Sequence, residues 1–138
     1  MIDSLAHIGI AVKDLEASTK LFQALFGKPS DHAELVPDQK VKTAFFHMGQ
    51  LSIELTAPTD SDSPIAKFIA KRGEGIHHLS FAVDDLEQEL ARLRAEGFQL
   101  VDEKPGAGAG GHPVAFLHPK STNGVLIELC QRSETGKS

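Results

Sequence analysis

Hydrophobic and polar positions along the chain first alternate and then recur at helical spacing. The stretch HIGIAV near the start has the length and the β-branched content of a strand. Apolar residues then follow a helical period from Asp14, the expected N-cap, to Gly27, where the helix is expected to end. The segment 29–40 is polar and is expected to be a loop.

Two further strands are predicted in the stretches KVKTAFFHM and LSIELTA, with a turn at Gly49 and Gln50 between them. The next stretch, TDSDSPIAKF, predicts a loop that leads into a short helix. Ser63 is the expected cap of that helix and Pro64 its first residue. The linker RGEG follows.

The same order of elements then starts again. IHHLSFAV predicts a strand, and DDLEQELARLRAEG predicts a helix that buries Leu86, Leu90 and Leu93 and ends at Gly97. FQLVDE is expected to be a further strand or extended segment, and GAGAGG a mobile loop. HPVAFLH and GVLIELC predict the last two strands, and RSETGKS a disordered polar tail.

An internal repeat underlies this order. HIGIAVKDLE begins at His7 and HLSFAVDDLE at His78, and six of their ten positions are identical. Each half is therefore predicted to be a β-α-β-β-β module, and the fold class to be α+β with two tandem modules. We expect one domain over 1–132, with module one at about 1–58, a linker with a short helix at 59–75, module two at about 76–132, and a tail at 133–138.

Each module also carries one histidine on its first strand and one glutamate on its last. Glu54 follows His7 by 47 residues, and Glu128 follows His78 by 50. Both glutamates stand between isoleucine and leucine, where a carboxylate is costly to bury without a partner. A single pair would fit two half-exposed surface positions. Two pairs at matching repeat positions indicate a divalent-metal site with nitrogen and oxygen ligands.

The double histidine at 77 and 78 requires a choice, because adjacent strand residues face opposite ways. The repeat aligns His78 with His7, and small residues share the strand face of each of these two histidines. These small neighbours would leave room for a substrate. His78 is therefore the predicted ligand, and His77 is expected to be structural or to support a ligand.

The other histidines have no counterpart in the repeat; they are His32, His47, His112 and His118. The first two are expected to be loop or surface residues, whereas His112 follows the glycine loop and could line an entrance. The single cysteine, Cys130, shares a strand face with Glu128. It is expected to be a small buried residue rather than a nucleophile.

The composition of the chain argues against some classes of partner and indicates a cellular compartment. The formal net charge of −5 argues against a nucleic-acid partner. No apolar run reaches the ~20 residues that span a bilayer, and the first residues do not resemble a signal peptide, so no membrane partner is expected. A single cysteine excludes an internal disulfide and is typical of a reducing compartment. We expect the cytoplasm.

Paired modules with these histidines and glutamates resemble the vicinal oxygen chelate superfamily, which includes glyoxalase I, extradiol dioxygenases and methylmalonyl-CoA epimerases. The epimerases are the nearest resemblance, over almost the whole chain. It is carried by SLAHIGIAVKDLE, VPDQKVKTAFF, SPIAKFIAKRGEGIHHLSFAVDDLE and AFLHPKSTNGVLIEL. The last two stretches are far more specific than an isolated HIGIAV or IEL. The resemblance implies one glyoxalase-like domain with a cupped β-sheet.

By this resemblance His7, His78 and Glu128 are metal ligands, and Glu54 occupies a fourth position that is often glutamine. Co²⁺ is the expected ion, and Ni²⁺, Mn²⁺ and Zn²⁺ also accept this ligand set. The chain departs from some epimerases at Thr43, where they carry a second catalytic glutamate. A threonine hydroxyl is no useful base near neutral pH, so the identity of the second base stays open.

The implied reaction is the epimerisation of methylmalonyl-CoA, in which a proton is removed from the carbon between thioester and carboxylate and returned on the opposite face. Glu128 is the first candidate base. Glu54 is the candidate for the opposite face, or is a simple ligand. Lys104, Lys120 and the glycine-loop amides are candidates for contacts with the CoA phosphates. The resemblance also implies a homodimer.

Three alternative functions use the same fold. A glyoxalase I-like isomerase would use the same ligands, and HPKSTNGVLIEL favours the epimerase over it. An extradiol-type dioxygenase would use two histidines and one glutamate for iron, but a fourth ligand at Glu54 would occupy a position that its chemistry needs. A metal-free binding protein on the same fold would have no use for four matched ligands.

Overall fold

The computed structural model describes residues 1–132, which form eight strands and three α-helices. The strands are β1 (Ile2–Ala11), β2 (His32–Val36), β3 (Val41–Met48), β4 (Leu51–Pro58), β5 (Gly75–Val83), β6 (Gly106–Ala107), β7 (Pro113–Leu117) and β8 (Ile127–Gln131). The helices are α1 (Leu15–Phe26), α2 (Pro64–Arg72) and α3 (Leu86–Ala95). The orders β1-α1-β2-β3-β4 and β5-α3-β6-β7-β8 confirm the predicted duplication. The predicted tail lies outside the described residues.

The chain divides into two compact units. The first unit comprises residues 7–77, and the second comprises Met1–Ala6 together with the described chain from His78 to Arg132. In the first unit the strand order is β2-β3-β4-β1, and in the second it is β5-β8-β7-β6. The first and last strands of each module pair in parallel, β1 with β4 and β5 with β8, and the other pairings within the units are antiparallel.

The helix ends follow the capping residues in the sequence. Asp14 accepts a hydrogen bond from the N–H of Ala17, and Asp85 does the same for Gln88. Gly27 ends α1 with a φ of 70°, a left-handed conformation that costs glycine little. The predicted helix boundaries are thus confirmed for α1, whose first and last residues lie next to these caps.

The first unit buries its apolar residues between α1 and one face of β3 and β4. Its core cluster consists of Val12, Ala44, Phe46, Leu55 and Ala57, with Ile10, Leu15, Phe22, Phe26 and Ile53 packed against it. Side chains alternate between the two faces of a strand. The residue between Ile53 and Leu55, which is Glu54, therefore lies on the face opposite this core.

The second unit repeats this arrangement with α3 against β7 and β8. Its core cluster consists of Val83, Leu86, Leu90, Leu93, Ala115, Leu117 and Leu129, with Ile2, Phe81, Phe98, Leu100 and Ile127 packed against it. The predicted burial of the three α3 leucines is confirmed. Glu128 stands between Ile127 and Leu129 and so lies on the face opposite the core.

Two segments differ from the predictions. The segment 29–40 is not a loop throughout, because β2 pairs with β3 across His32–Val36. Only Val36 is buried in β2, so the alternation of apolar and polar residues that marks a half-buried strand is too weak to be recognised there. The glycine-rich stretch contains the two-residue β6 and a short 3₁₀ turn at Ala109–Gly111.

The predicted extended segment FQLVDE forms an isolated bridge, between Leu100 and Leu117, rather than a strand. Among residues 1–132, no helix combines the length and the apolar character that crossing a bilayer requires.

Candidate active site

The first unit brings His7 and Glu54 together. The Nδ1 atom of His7 lies 3.0 Å from Oε2 of Glu54, and about one eighth of each side chain is exposed (13% and 12%). Gly9 pairs directly with Glu54 across the parallel strands, so no side chain stands between the imidazole and the carboxylate on that side. Two atoms bonded to one ion at ~2.1 Å are also ~3 Å apart when their bonds are perpendicular. The spacing therefore fits a hydrogen bond and a pair of adjacent metal ligands equally well.

The second unit brings His78 and Glu128 together. The Nε2 atom of His78 lies 3.8 Å from Oε1 of Glu128, and the side chains are only 8% and 4% exposed. The ring of Phe116 packs edge-on against His78, with centroids 5.8 Å apart and planes at 83°. This pair is more deeply buried than the pair in the first unit, and its two polar atoms are further apart.

A phenylalanine stands beside each glutamate. Phe45 is the antiparallel partner of Glu54, and Phe116 is the antiparallel partner of Glu128. The two positions match in the repeat, as AFF in one module and AFL in the other. Residues opposite each other in neighbouring strands share a sheet face, so each carboxylate has an aromatic ring as its neighbour. The matching AFF and AFL stretches are a signal for these aromatic neighbours that the sequence alone contains.

His77 lies in the first unit and packs on helix α2. Its ring meets the ring of Phe68 edge-on, with centroids 4.9 Å apart and planes at 89°. His78, the next residue, contacts Phe116 in the second unit. The two adjacent histidines thus pack against different rings in different units, as expected if one of them is structural.

Thr43 is buried beside the threonine that follows Glu54 by two residues. It is 3% exposed, and its Oγ1 atom lies 3.2 Å from Oγ1 of Thr56, so the two hydroxyls form a hydrogen bond. Thr43 and Thr56 are direct partners across β3 and β4. The position where some epimerases carry a glutamate is therefore occupied here by one hydroxyl of a neutral pair.

The histidines outside the two histidine–glutamate pairs have other surroundings, and two of them, His47 and His118, follow the matched AFF and AFL stretches and so do correspond in the repeat, contrary to the expectation. His32 and His47 are exposed, which confirms the surface prediction, and the ring of His32 stacks on Phe45 with centroids 4.2 Å apart. The N–H of His47 donates to Asp31 at 2.7 Å, and this hydrogen bond is the main reason why the pKa of the Asp31 carboxyl is lowered. His118 accepts a hydrogen bond from the N–H of Lys120 at 3.1 Å and thereby caps a 3₁₀ turn.

Two buried serines were not among the predicted site residues. Ser80 and Ser52 are 0% and 9% exposed, and among residues 1–132 the structure provides neither side-chain oxygen with a hydrogen-bond partner. Ser80 shares a strand face with His78, where the sequence predicts only small residues that leave room for a substrate. The repeat did contain a signal, because Gly9 occupies the corresponding position of the first module.

The two lysines that are candidates for CoA contacts lie on the surface. Lys104 and Lys120 are exposed, whereas Gly108 in the glycine-rich stretch is buried. Cys130 is partly exposed rather than fully buried, so its predicted role as a buried filler is only partly met. Contacts of Lys104, Lys120 and the glycine-rich stretch with a substrate remain predictions.

Comparison with known proteins supplies the family. The model of the Glyoxalase/Bleomycin resistance protein/Dioxygenase superfamily matches residues 6–116. The uncharacterized protein YqjC of Bacillus subtilis is 40% identical, over 94% of this chain and 93% of that protein. The mitochondrial methylmalonyl-CoA epimerase of Dictyostelium discoideum is also 40% identical, over 93% of this chain and 78% of that protein.

A solved structure agrees with these relatives. It is that of a variant of Streptomyces coelicolor methylmalonyl-CoA epimerase in complex with 2-nitronate-propionyl-CoA. The TM-score is 0.93 at 34% identity, and the alignment covers 100% of this chain and 99% of that one. The chain therefore belongs to the Glyoxalase/Bleomycin resistance protein/Dioxygenase superfamily and, within it, to the methylmalonyl-CoA epimerase family.

Proposed function

We propose that this protein is a metal-dependent methylmalonyl-CoA epimerase and that His7, Glu54, His78 and Glu128 bind its metal ion. The observation that carries the proposal is the pairing of a histidine with a glutamate at matching positions of both units, in a chain of the epimerase family. A binding protein without a metal would have no use for this duplicated arrangement.

The chemistry of the donor atoms fits a divalent ion. His7, His78 and Glu128 each offer one ligand atom, and Glu54 adds a second carboxylate. Two imidazoles and two carboxylates form a mixed nitrogen and oxygen set that suits Co²⁺, Ni²⁺, Mn²⁺ and Zn²⁺, of which we favour Co²⁺. When bound, such an ion would act as a Lewis acid and stabilise the negative charge that develops on the thioester oxygen.

The residues of the chain itself must move the proton. The carbon between the thioester and the carboxylate loses its proton to a base on one face and regains a proton on the other, by way of a planar enolate. Glu128 and Glu54 are our assignments for the two acid–base groups, because they are the carboxylates at matched repeat positions. Thr43 is not assigned, since its hydroxyl is hydrogen-bonded to a second neutral hydroxyl.

The proposal also needs space for the substrate beside the metal ligands and positive charge for the CoA phosphates. Gly9 and Ala11 follow His7 on its strand face, and Ala82 lies on the face of His78, so small residues flank both histidines. Lys104 and Lys120 are the candidates for the CoA phosphates. We further propose a homodimer in the cytoplasm, which sedimentation of the purified protein and fractionation of cells would test.

Deuterium incorporation from solvent tests the function. The protein, loaded with Co²⁺, is incubated in D₂O with a single epimer of methylmalonyl-CoA, and mass spectrometry and a chiral assay follow the label and the configuration. We expect both to change faster than without enzyme, chelation to abolish the change, and added Co²⁺ to restore it.

Two outcomes would contradict the proposal. Label and configuration that change no faster than in the enzyme-free control would exclude the epimerase. Undiminished turnover after elemental analysis has shown complete metal removal would exclude metal dependence. The hemithioacetal of methylglyoxal and glutathione serves as the comparison substrate, and faster turnover of it than of methylmalonyl-CoA would identify a glyoxalase instead.

A further inference from the structure

Ser80 is a buried hydroxyl that the described part of the chain leaves unsatisfied. It lies in β5 with 0% of its surface exposed, and its Oγ atom has no hydrogen-bond partner among residues 1–132. A buried hydroxyl without a partner lowers the stability of a protein relative to an apolar residue of similar size. Alanine would therefore be the more stable residue at this position, unless the hydroxyl gains a partner in another state of the protein.

The neighbour of Ser80 across the sheet is Glu128. The two residues are direct partners in the parallel pairing of β5 with β8, so both side chains lie on the same sheet face. Neighbouring strands are ~4.8 Å apart, which places a serine hydroxyl within one side-chain rotation of the carboxylate beside it. Because the Oγ atom is inaccessible to solvent, the adjacent carboxylate is a more accessible acceptor for it than a substrate that enters from outside.

The first unit shows what the same position looks like without a hydroxyl. The residue that corresponds to Ser80 is Gly9, and it pairs with Glu54. There Oε2 of Glu54 lies 3.0 Å from Nδ1 of His7, whereas Oε1 of Glu128 lies 3.8 Å from Nε2 of His78, which is too long for a good hydrogen bond between those two atoms. The histidine of each pair thus lies at a different distance from its carboxylate.

We propose that Ser80 is a positioning residue: with the metal ion bound, its hydroxyl donates to the Glu128 carboxylate and fixes which carboxylate oxygen is presented to the ion. This inference rests on the proposed function, because it needs Glu128 to be a ligand. Hydrogen bonds to ligating carboxylates from residues that do not touch the metal typically raise metal affinity by about 10–100-fold. Ser80, the direct cross-strand partner of Glu128, is placed to provide one.

The test is the Co²⁺ affinity of Ser80→Ala, measured by calorimetry with a competing chelator, together with the melting temperature of the metal-free protein. The Kd for Co²⁺ should rise about 10–100-fold. The metal-free variant should melt at the wild-type temperature or above it, since an unsatisfied hydroxyl has been removed. The visible spectrum of bound Co²⁺ should also change, because the coordination by Glu128 is no longer fixed.

Two further variants control for unrelated effects. Ser52→Ala removes a similarly buried and unsatisfied hydroxyl in the first unit, where the direct cross-strand partners are not carboxylates but two histidines, His47 and the proposed ligand His7. Since the imidazole of His7 already has a carboxylate at 3.0 Å, the Kd for Co²⁺ should not change. Ser80→Thr keeps the hydroxyl and should retain both the wild-type Kd and the wild-type Co²⁺ spectrum.

The possible results separate this inference from the proposed function. If wild-type protein does not bind Co²⁺, the proposed function and the inference both fail. If the wild type binds Co²⁺ and Ser80→Ala binds it with the same Kd, the inference alone is overturned. A Ser80→Ala variant that melts lower without metal, and weakens Co²⁺ binding no more than Ser52→Ala does, would show a structural role and overturn it as well.

Discussion

Replacing Glu54 by glutamine removes a base while keeping nearly everything else at that position. The amide has the size of the carboxylate and retains an oxygen that can accept a hydrogen bond or bind a metal. That oxygen can occupy the place of Oε2, which is 3.0 Å from Nδ1 of His7. What Glu54→Gln cannot do at any ordinary pH is take up and return a proton. The variant therefore separates the two roles that this side chain could have.

The size of the expected effect follows from this loss. A general base typically contributes about 10²–10⁴-fold to a rate, which corresponds to ~2.7–5.5 kcal/mol of activation free energy. The pair of His7 and Glu54 is only about one eighth exposed, so a solvent water would be a poor replacement for the base. We expect epimerisation by Glu54→Gln to fall by at least ~100-fold at saturating Co²⁺.

The assay follows two quantities in D₂O for each epimer separately, namely deuterium incorporation and inversion of configuration. With Glu128 intact, Glu54→Gln should exchange the proton of one epimer for deuterium without inverting it. Metal content measured on the same samples shows whether the ion is still bound. Inversion at close to the wild-type rate would refute the assignment and leave Glu54 as a ligand, so that the second base would have to be found elsewhere.

Further predictions concern single side chains. His78→Ala should abolish Co²⁺ binding in calorimetry, whereas His77→Ala should keep the metal and lower the melting temperature; the reverse result would mean that the strand register is wrong by one residue. Thr43→Val should leave kcat unchanged and cost about 1–3 kcal/mol in the free energy of unfolding, because a buried hydroxyl loses its partner; a large fall in kcat would contradict this. The hydrogen bond that Arg92 donates is the main reason why the pKa of the Glu89 carboxyl is lowered from its ordinary value of 4.5. The ionised carboxylate therefore stabilises the fold fully above pH 4.5, and this stabilisation is lost as the pH falls through the lowered pKa. Glu89→Gln should thus be less stable than the wild type at pH 7, and thermal melts of the two should converge in acid; a constant difference would count against this pair.

Much of the fold could be predicted because the residues that determine the helix starts and the strand faces are repeated in both modules. The N-cap aspartates, Asp14 and Asp85, mark the same helix start in both modules, and leucine or isoleucine on either side of each glutamate fixes the face on which it lies. Local capping and strand alternation act over a few residues, so a sequence displays them directly.

The rest could not be predicted because it depends on partners far apart in the chain. Strand β2 has one buried residue, and its pairing with β3 rather than its own pattern makes it a strand. Ser80 becomes noticeable only when β8, almost fifty residues later, places Glu128 beside it. Neither the unsatisfied hydroxyl nor the hydroxyl pair of Thr43 with Thr56 has a signature in the order of residues.

The weak alternation of β2 has a consequence for the protein in concentrated solution. β2 ends the strand order of the first unit and β6 that of the second, and a strand at the end of a sheet can add a strand from another molecule. The two residues of β6 are too few to align a neighbour, and a proline precedes them. β2 is longer and exposes Leu35, but His32 and Glu34 place ionisable groups along it. Polar side chains at these two positions disfavour intermolecular sheet growth at β2, so replacing both by apolar residues is expected to make it the strand at which aggregation begins.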